Sequence, residues 1–370
     1  MRDVFEVELY SENSRTELTL PATPYALLDA LSKLELAEGE RPGWEILKTP
    51  SCHHIYPYLD PAGGTLTELN ALTQRLSELG ETELSIVEGL IQMEQPRPGI
   101  TSVPLPRLID FAYSTDCCHL VEEATNDYTL GRFCAENGFI PGAEGLSDEA
   151  FALLNFGKIG REFCQAEGGV FTRGGYVQRR EELKQVYKTL NLTLKKPDYT
   201  LLAETAGAVQ VKLPVPIGTT VADEPAQCLD CAAPSLTGLT ATMSTLDMLA
   251  RRLAELEMEG ELTKYKAVLE VTGCDDMGRA LTLADKLDQY TFSPKLLGPE
   301  DVAIECLKTM LPNDEVNRLT PYLDIRRYGE AVMEQSGGKL TGYGLVERVD
   351  GDLSPGMEEE PGKNEMVLGI

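Results

Sequence analysis

The chain has 370 residues, 42% hydrophobic and 25% charged, which is a soluble globular composition with material for two or three cores. Sixty acidic against 33 basic residues give a net charge of −27, which argues against binding nucleic acid by neutralising phosphates and favours a basic partner or plain solubility. No apolar run approaches membrane-spanning length, MRDVFEVELY is acidic and strand-like rather than a signal peptide, and nine scattered cysteines suit a reducing cytoplasm.

In chain order, residues 4–20 read as a hairpin: FEVELY and TELTL alternate, with Ser11-Glu12-Asn13-Ser14 as the turn. Thr23-Pro24 is a good helix start, and Leu27, Leu28, Leu31 and Leu34 lie inside that helix. Residues 44–47 give a third strand, so 1–60 form a small α+β subdomain. From Pro61 the pattern turns helical. Leucines at 66, 69, 72, 76 and 79 form one stripe, and Leu84, Ile86, Val87, Leu90, Ile91 and Met93 continue it. Pro96, Pro98 and Pro104 break the run before a short helix near 105–111. Residues 128–137 form a helix ended at Gly138, and Ser147 caps the next. Further on, KTLNLTL (188–194) and AVQVKL (208–213) are strand candidates, and 214–243 reads as loop. Helices are expected at 244–258, 261–271, 277–290, 300–310 and about 314–335, before an acidic, flexible tail at 351–370.

Two pairs of segments echo each other. LLNFGKIGREFCQAEGGVFTRGGYV (153–177) and YLDIRRYGEAVMEQSGGKLTGYGLV (322–346) share seven identities without gaps, among them Gly160/Gly329, Gly168/Gly337, Thr172/Thr341 and Gly175/Gly344. Each reads as a helix, a Gly-Gly stop and a strand, the first glycine suiting the left-handed residue that ends a helix. Upstream, Arg75-Leu76 and Glu78-Leu79 match Arg252-Leu253 and Glu255-Leu256. The expected fold class is α+β: two tandem modules in an elongated body, each with a small β-containing subdomain, an acidic helical subdomain and a helix-GG-strand subdomain. Module 1 covers 1–184 (1–60, 61–115 and 116–184), and a diverged module 2 covers 185–350. A slightly basic stretch containing Arg179, Arg180, Lys184, Lys188, Lys195 and Lys196 joins them.

Signals for catalysis or metal binding are poor. Cys228-Leu-Asp-Cys231 is a lone CxxC, with no histidine beyond 119 to complete a zinc set. Cys52-His53-His54 and Cys117-Cys118-His119 lack ligand spacing, and no nucleotide or nucleophile motif is present. No catalytic residue, metal or cofactor is expected, and the chain reads as a non-enzyme. The distinctive feature is the carboxylates. Residues 61–150 carry 15 acidic and 4 basic residues. One helix with an acid every third or fourth residue offers a charge per roughly 5–6 Å, too sparse to imitate duplex DNA at about one per 1.7 Å. Several such helices side by side come closer. The candidates for that surface are Glu68, Glu78, Glu81, Glu83, Glu88, Asp110, Asp116, Glu122, Glu123, Asp127 and Glu136.

The order of hairpin, acidic helices, LGRFCAENGFIPG (130–142) and then the 147–177 segment resembles the ArdA family of antirestriction proteins, clearly over 1–184 and weakly over 185–350. The resemblance implies an acidic, elongated DNA mimic from a mobile element. Such a protein touches no nucleic acid or membrane and occupies the DNA groove of type I restriction-modification enzymes. It further implies an interface at Phe156, Gly157, Ile159, Gly160 and Phe163, and either a homodimer or a monomeric pseudo-dimer of the two modules. The alternative is a non-enzymatic protein-interaction or regulatory adaptor of a mobile element whose acidity is incidental.

Overall fold

A computed structural model describes residues 2–350, apart from 13, 35, 38, 61–62, 95–101, 220–222 and 295. Helices and small antiparallel sheets make it an α+β protein. It divides into two compact units, Met1–Lys195 and Lys196–Ile370. The expected breaks at Pro96 and Pro98, the turn residue Asn13 and the tail from 351 lie outside the described residues.

Unit 1 opens with β1 (Phe5–Tyr10) and β2 (Arg15–Leu20), whose alternation buries Phe5, Val7 and Leu9. Helix α1 (Pro24–Ser32) starts at Thr23, whose hydroxyl accepts the Ala26 amide. Strand β3 (Gly43–Lys48) completes a sheet of order β2-β1-β3. Next come α2 (Leu66–Glu78), α3 (Glu81–Glu94) and α4 (Leu105–Ala112), whose apolar stripes share one core with this sheet. A second sheet follows. Strand β4 (Cys118–Val121) leads into α5 (Asp127–Glu136), the single turn α6 (Asp148–Phe151) and α7 (Phe156–Glu167). Then β5 (Val170–Thr172) and β6 (Gly175–Arg179) give the order β4-β6-β5.

Unit 2 begins with β7 (Leu201–Thr205), β8 (Gln210–Leu213), β9 (Pro225–Cys231) and β10 (Thr240–Thr242), in the order β10-β9-β7-β8. Helices α8 (Met243–Glu259), α9 (Leu262–Thr272) and α10 (Met277–Asp285) follow. Strand β11 (Tyr290–Pro294) precedes α11 (Pro299–Met310), α12 (Asn313–Leu319) and α13 (Ile325–Ser336). Finally β12 (Lys339–Thr341) and β13 (Gly344–Arg348) give the order β11-β13-β12.

Specific contacts recur in the two units. Phe5 faces Leu20 and Leu201 faces Leu213, and the next pairing slips at Glu6/Val7 and at Leu202/Ala203. Arg75 donates to the Ala112 carbonyl at the end of α4 (3.1 Å), and Arg252 to the Ala284 carbonyl at the end of α10 (3.3 Å). Thr172 and Thr341 each donate to the carbonyl of the glycine three residues on, Gly175 and Gly344. Gly168 and Gly337 end their helices at φ 68° and 70°. The polar tie of the first sheet to the helices is kept with altered chemistry. In unit 1, buried Asn70 accepts the Ala22 amide (2.7 Å) and donates to its carbonyl (3.1 Å). In unit 2 the roles are split: Asp247 accepts the Val215 amide (2.7 Å) and Arg251 donates to the Val215 carbonyl (2.7 Å). Replacing Asn70 by leucine strands both Ala22 groups in the core. We expect unit 1 to lose about 2–4 kcal/mol, read as a lower urea midpoint at unchanged slope.

Several expectations give way. Residues 188–194 form no strand: Tyr187–Thr189 is a single 3-10 turn, and Leu190 and Leu194 pack against the unit 1 core instead of joining a sheet. The 214–243 stretch holds β9 and β10, disguised by the Ala- and Cys-rich sequence PAQCLDC. The helix expected to 290 stops at Asp285, and the one expected over 314–335 is two helices split by a turn at Thr320–Tyr322. The contact boundary falls at 195 rather than 184, because the basic stretch folds back on unit 1.

A candidate acidic surface around the third helix

The eleven carboxylates fall into three groups. Three tie the 184–187 segment to the body of unit 1. Glu68 closes a capping box with Thr65, accepting its amide (2.7 Å), and also accepts the Tyr187 hydroxyl (2.5 Å). Asp110 accepts the Tyr187 amide (2.9 Å), and Asp116 pairs with Lys184 (2.6 Å). Partial burial pushes the Glu68 carboxyl up, but the bonds from Tyr187 and Thr65 outweigh it and hold it below the usual range. A hydrogen bond from Lys184 likewise lowers Asp116. Because Glu68 is depressed in the folded state, its contribution is complete above the ordinary carboxylate pKa and is lost as pH falls through the depressed value. Tyr187→Phe therefore costs about 1 kcal/mol at pH 7. The difference from wild type shrinks toward pH 3, as denaturant titrations at the two pH values will read.

A second group is spent on neighbours: Glu78 on Arg75 (3.0 Å), Asp127 on Arg161 (3.3 Å) and Glu136 on Arg132 (2.7 Å). The third group clusters on and beside α3. Leu84, Val87 and Ile91 turn inward, which sends Glu81, Ser85 and Glu88 outward along one stripe. Thr82 donates to Glu122 (3.4 Å), which brings the segment after β4 alongside. Glu81 is 87% exposed at the side chain, and its nearest cation is Arg2 at 3.7 Å. Glu83 accepts the Gly80 amide, and Glu88 accepts Gln92. Among the described residues Glu83, Glu88, Glu122 and Glu123 make no salt bridge.

Sequence reasoning missed the cationic edge of this cluster. The turn between β5 and β6 sits on α3: a Cβ on Gly174 would lie 2.4 Å from the Ser85 hydroxyl. Arg173 in that turn contacts His53 Nε2 at 3.0 Å, and the His54 ring stands edge-on to His53. A guanidinium only donates, so the His53 nitrogen facing it is the unprotonated acceptor. Burial pushes His54 down, with Glu88 opposing. These groups come from three distant segments, and no local pattern announces them.

Burial raises Cys52 and Cys117, and takes Cys118 up to about 11. Cys228 and Cys231 are fully buried on β9. Cys231 donates to the Ala233 carbonyl, and its hydrogen bond with Cys228 and its burial push it well up. Among the described residues no group of three or more His, Cys, Asp or Glu could hold a metal ion, and no helix is long and apolar enough to cross a membrane.

The proposed interface residues are largely used inside unit 1. Phe156 is 5% exposed and packs with Ala135 and Ala143. A Cβ on Gly160 would lie 1.8 Å from the Asp127 carbonyl oxygen, so this glycine lets α7 lie directly on α5. Ile159 and Phe163 pack on the cluster of Leu130, Cys134 and Tyr176, and only Gly157 has open space beside it. The apolar face that the resemblance marks as an interface packs against α5. Large apolar side chains are exposed elsewhere, among them Ile217 (96%), Met258 (81%) and the first matched pair of the long echo, Leu153 (86%) and Tyr322 (88%).

No family model matches this sequence, and no curated protein matches it.

Proposed function

We propose that this chain is a non-enzymatic acidic binding protein that competes with DNA for the basic groove of a type I restriction-modification enzyme, in the manner its resemblance to the ArdA family implies. We further propose that its units descend from one duplicated module. The observation that carries the first reading is the set of carboxylates on α3 and in the segment beside it: Glu83, Glu88, Glu122 and Glu123 make no salt bridge among the described residues and Glu81 is 87% exposed, in a chain of net charge −27. Carboxylates without a cationic partner in the fold are the ones a basic groove can use in place of phosphates. The repeated contacts at Arg75/Arg252, Thr172/Thr341 and Asn70/Asp247 support the second. The test is inhibition of a purified type I enzyme across a salt series, where mimicry requires inhibition to weaken as salt rises.

The matched exposure of Leu153 and Tyr322 favours a second reading, an adaptor that grips protein through apolar side chains. Under it, binding survives salt and carboxylate neutralisation but fails in Leu153→Ser with Tyr322→Ser.

A further inference from the structure

In the sheet β11-β13-β12, strand β11 lies at an edge. The central strand β13 fixes which way its backbone points. The Val349 amide donates to the Gln289 carbonyl, which sets a hydrogen-bonded pairing that alternates to Thr291/Glu347 and Ser293/Leu345. Phe292 sits between those pairs, so its N–H and C=O point away from β13. No other partner for them is found among the described residues. Pro294 has no N–H, which leaves Phe292 as the donor at this end of the edge.

Beside this edge runs a groove of about 480 Å³, bounded by Phe292, Pro294 and Leu296 on the strand side and by Ile304, Glu305 and Lys308 of α11. Asp301 lines it too, with one carboxylate oxygen already capping α11 through the Leu297 and Gly298 amides. Unit 1 treats the matching place differently. Thr129 caps α5 through the Thr125 and Asn126 amides as Asp301 caps α11, which aligns the two helices. By that alignment Ile304 and Lys308 stand where unit 1 has the Arg132–Glu136 ion pair, and Glu305 stands where it has Phe133. Phe133 stacks on Phe139, which meets Phe163, so aromatic rings fill that region of unit 1. Unit 2 has Val332 in place of Phe163 and Leu340 in place of Phe171. The same architecture is thus built with smaller side chains and a groove.

We propose that this groove binds an extended peptide as an added strand on β11, paired to the Phe292 backbone. Its apolar side chains lie against Phe292 and Ile304, and a basic side chain faces Asp301. An open edge donor and acceptor supply the backbone register, and the strand-and-helix walls supply a pocket for alternate side chains. Glu305 is already paired with Lys308 (3.3 Å), so Asp301 and the net charge of −27 are what select a cationic segment. This proposal is independent of the acidic cluster on unit 1.

The experiment uses the full chain and a fluorescein-labelled decapeptide of alternating valine and lysine, followed by fluorescence polarisation. The control is the same peptide N-methylated at alternate residues, which keeps its charge and side chains but cannot pair as a strand. The unmodified peptide should bind at least tenfold tighter than the methylated one. Ile304→Arg with Lys308→Glu, which installs the ion pair of unit 1, should remove that advantage while leaving the circular dichroism and melting temperature unchanged. Hydrogen exchange of a peptide spanning 290–294 should slow on binding to wild type. Equal binding of both peptides, absence of binding, or exchange unaltered at 290–294 would each overturn the proposal.

Discussion

Alanine at Gly160 or at Gly329 is expected to destabilise its unit by about 2 kcal/mol, the upper end of an overpacking cost less the helix-propensity gain and the largest loss from adding one methyl group anywhere on the α7 or α13 helices. The added Cβ would stand 1.8 Å from the Asp127 carbonyl oxygen in one case and 1.8 Å from the Pro299 carbonyl oxygen in the other. Both obstacles are backbone, so no rotamer change relieves the clash and the helix pair has to separate. Overpacking of this kind costs roughly 1–3 kcal/mol and at times more. Against it stands the gain of about 1 kcal/mol from replacing glycine by alanine inside a helix. In unit 1 the crossing is glycine on both sides, since a Cβ on Gly131 would meet the Phe156 carbonyl oxygen at 1.9 Å. Gly157, one turn away on α7, supplies the control. Its nearest contact would be Asn155 Oδ1 at 3.9 Å, so Gly157→Ala should be neutral or stabilising by up to about 1 kcal/mol. Urea titration of the three variants decides it. A Gly160→Ala protein as stable as Gly157→Ala would show that the helices do not cross as described.

The second large effect concerns binding. Changing Glu81, Glu83, Glu88, Glu122 and Glu123 together to glutamine should weaken inhibition of a type I enzyme roughly 50-fold at low salt, taking about 0.5 kcal/mol per rim carboxylate. The gap should narrow as ionic strength rises, because exposed charges are screened within about 10 Å at 0.1 M salt. A companion set, Glu78, Asp127 and Glu136 to glutamine, removes carboxylates already neutralised by Arg75, Arg161 and Arg132 and should change inhibition far less. If both sets act alike, total charge governs binding rather than the α3 cluster. If the first set changes nothing, competition with DNA through these groups is wrong.

What the sequence revealed was local. The hairpin, the caps at Thr23 and Ser147, the leucine stripe of α2 and both helix-Gly-Gly-strand copies are written in spacings of two to four residues. What it hid depends on distant partners. Strand β4 is four residues, CHLV, and exists because β6, nearly sixty positions later, pairs with it. Its Cys118 and His119, both half-buried, invite a ligand reading from sequence alone. The acidic site shows the same divide. The capping role of Glu68 has a local signal, Thr65-x-x-Glu68, which counting charges passes over. The engagement of Asp110 and Asp116 by residues 184–187 has none, and it takes both out of the pool of idle carboxylates.

That last engagement bears on how the halves are handled as recombinant fragments. A gene truncated after codon 184 would discard Tyr187 and with it the partner groups of Glu68 and Asp110, and would leave Lys184 at a raw chain end beside Asp116. The product would be a more self-repelling polypeptide, looser than the intact chain at neutral pH, with the gap closing as acid protonates these carboxylates. Extending the reading frame to codon 195 keeps these carboxylates matched and retains Leu190 and Leu194 over the core.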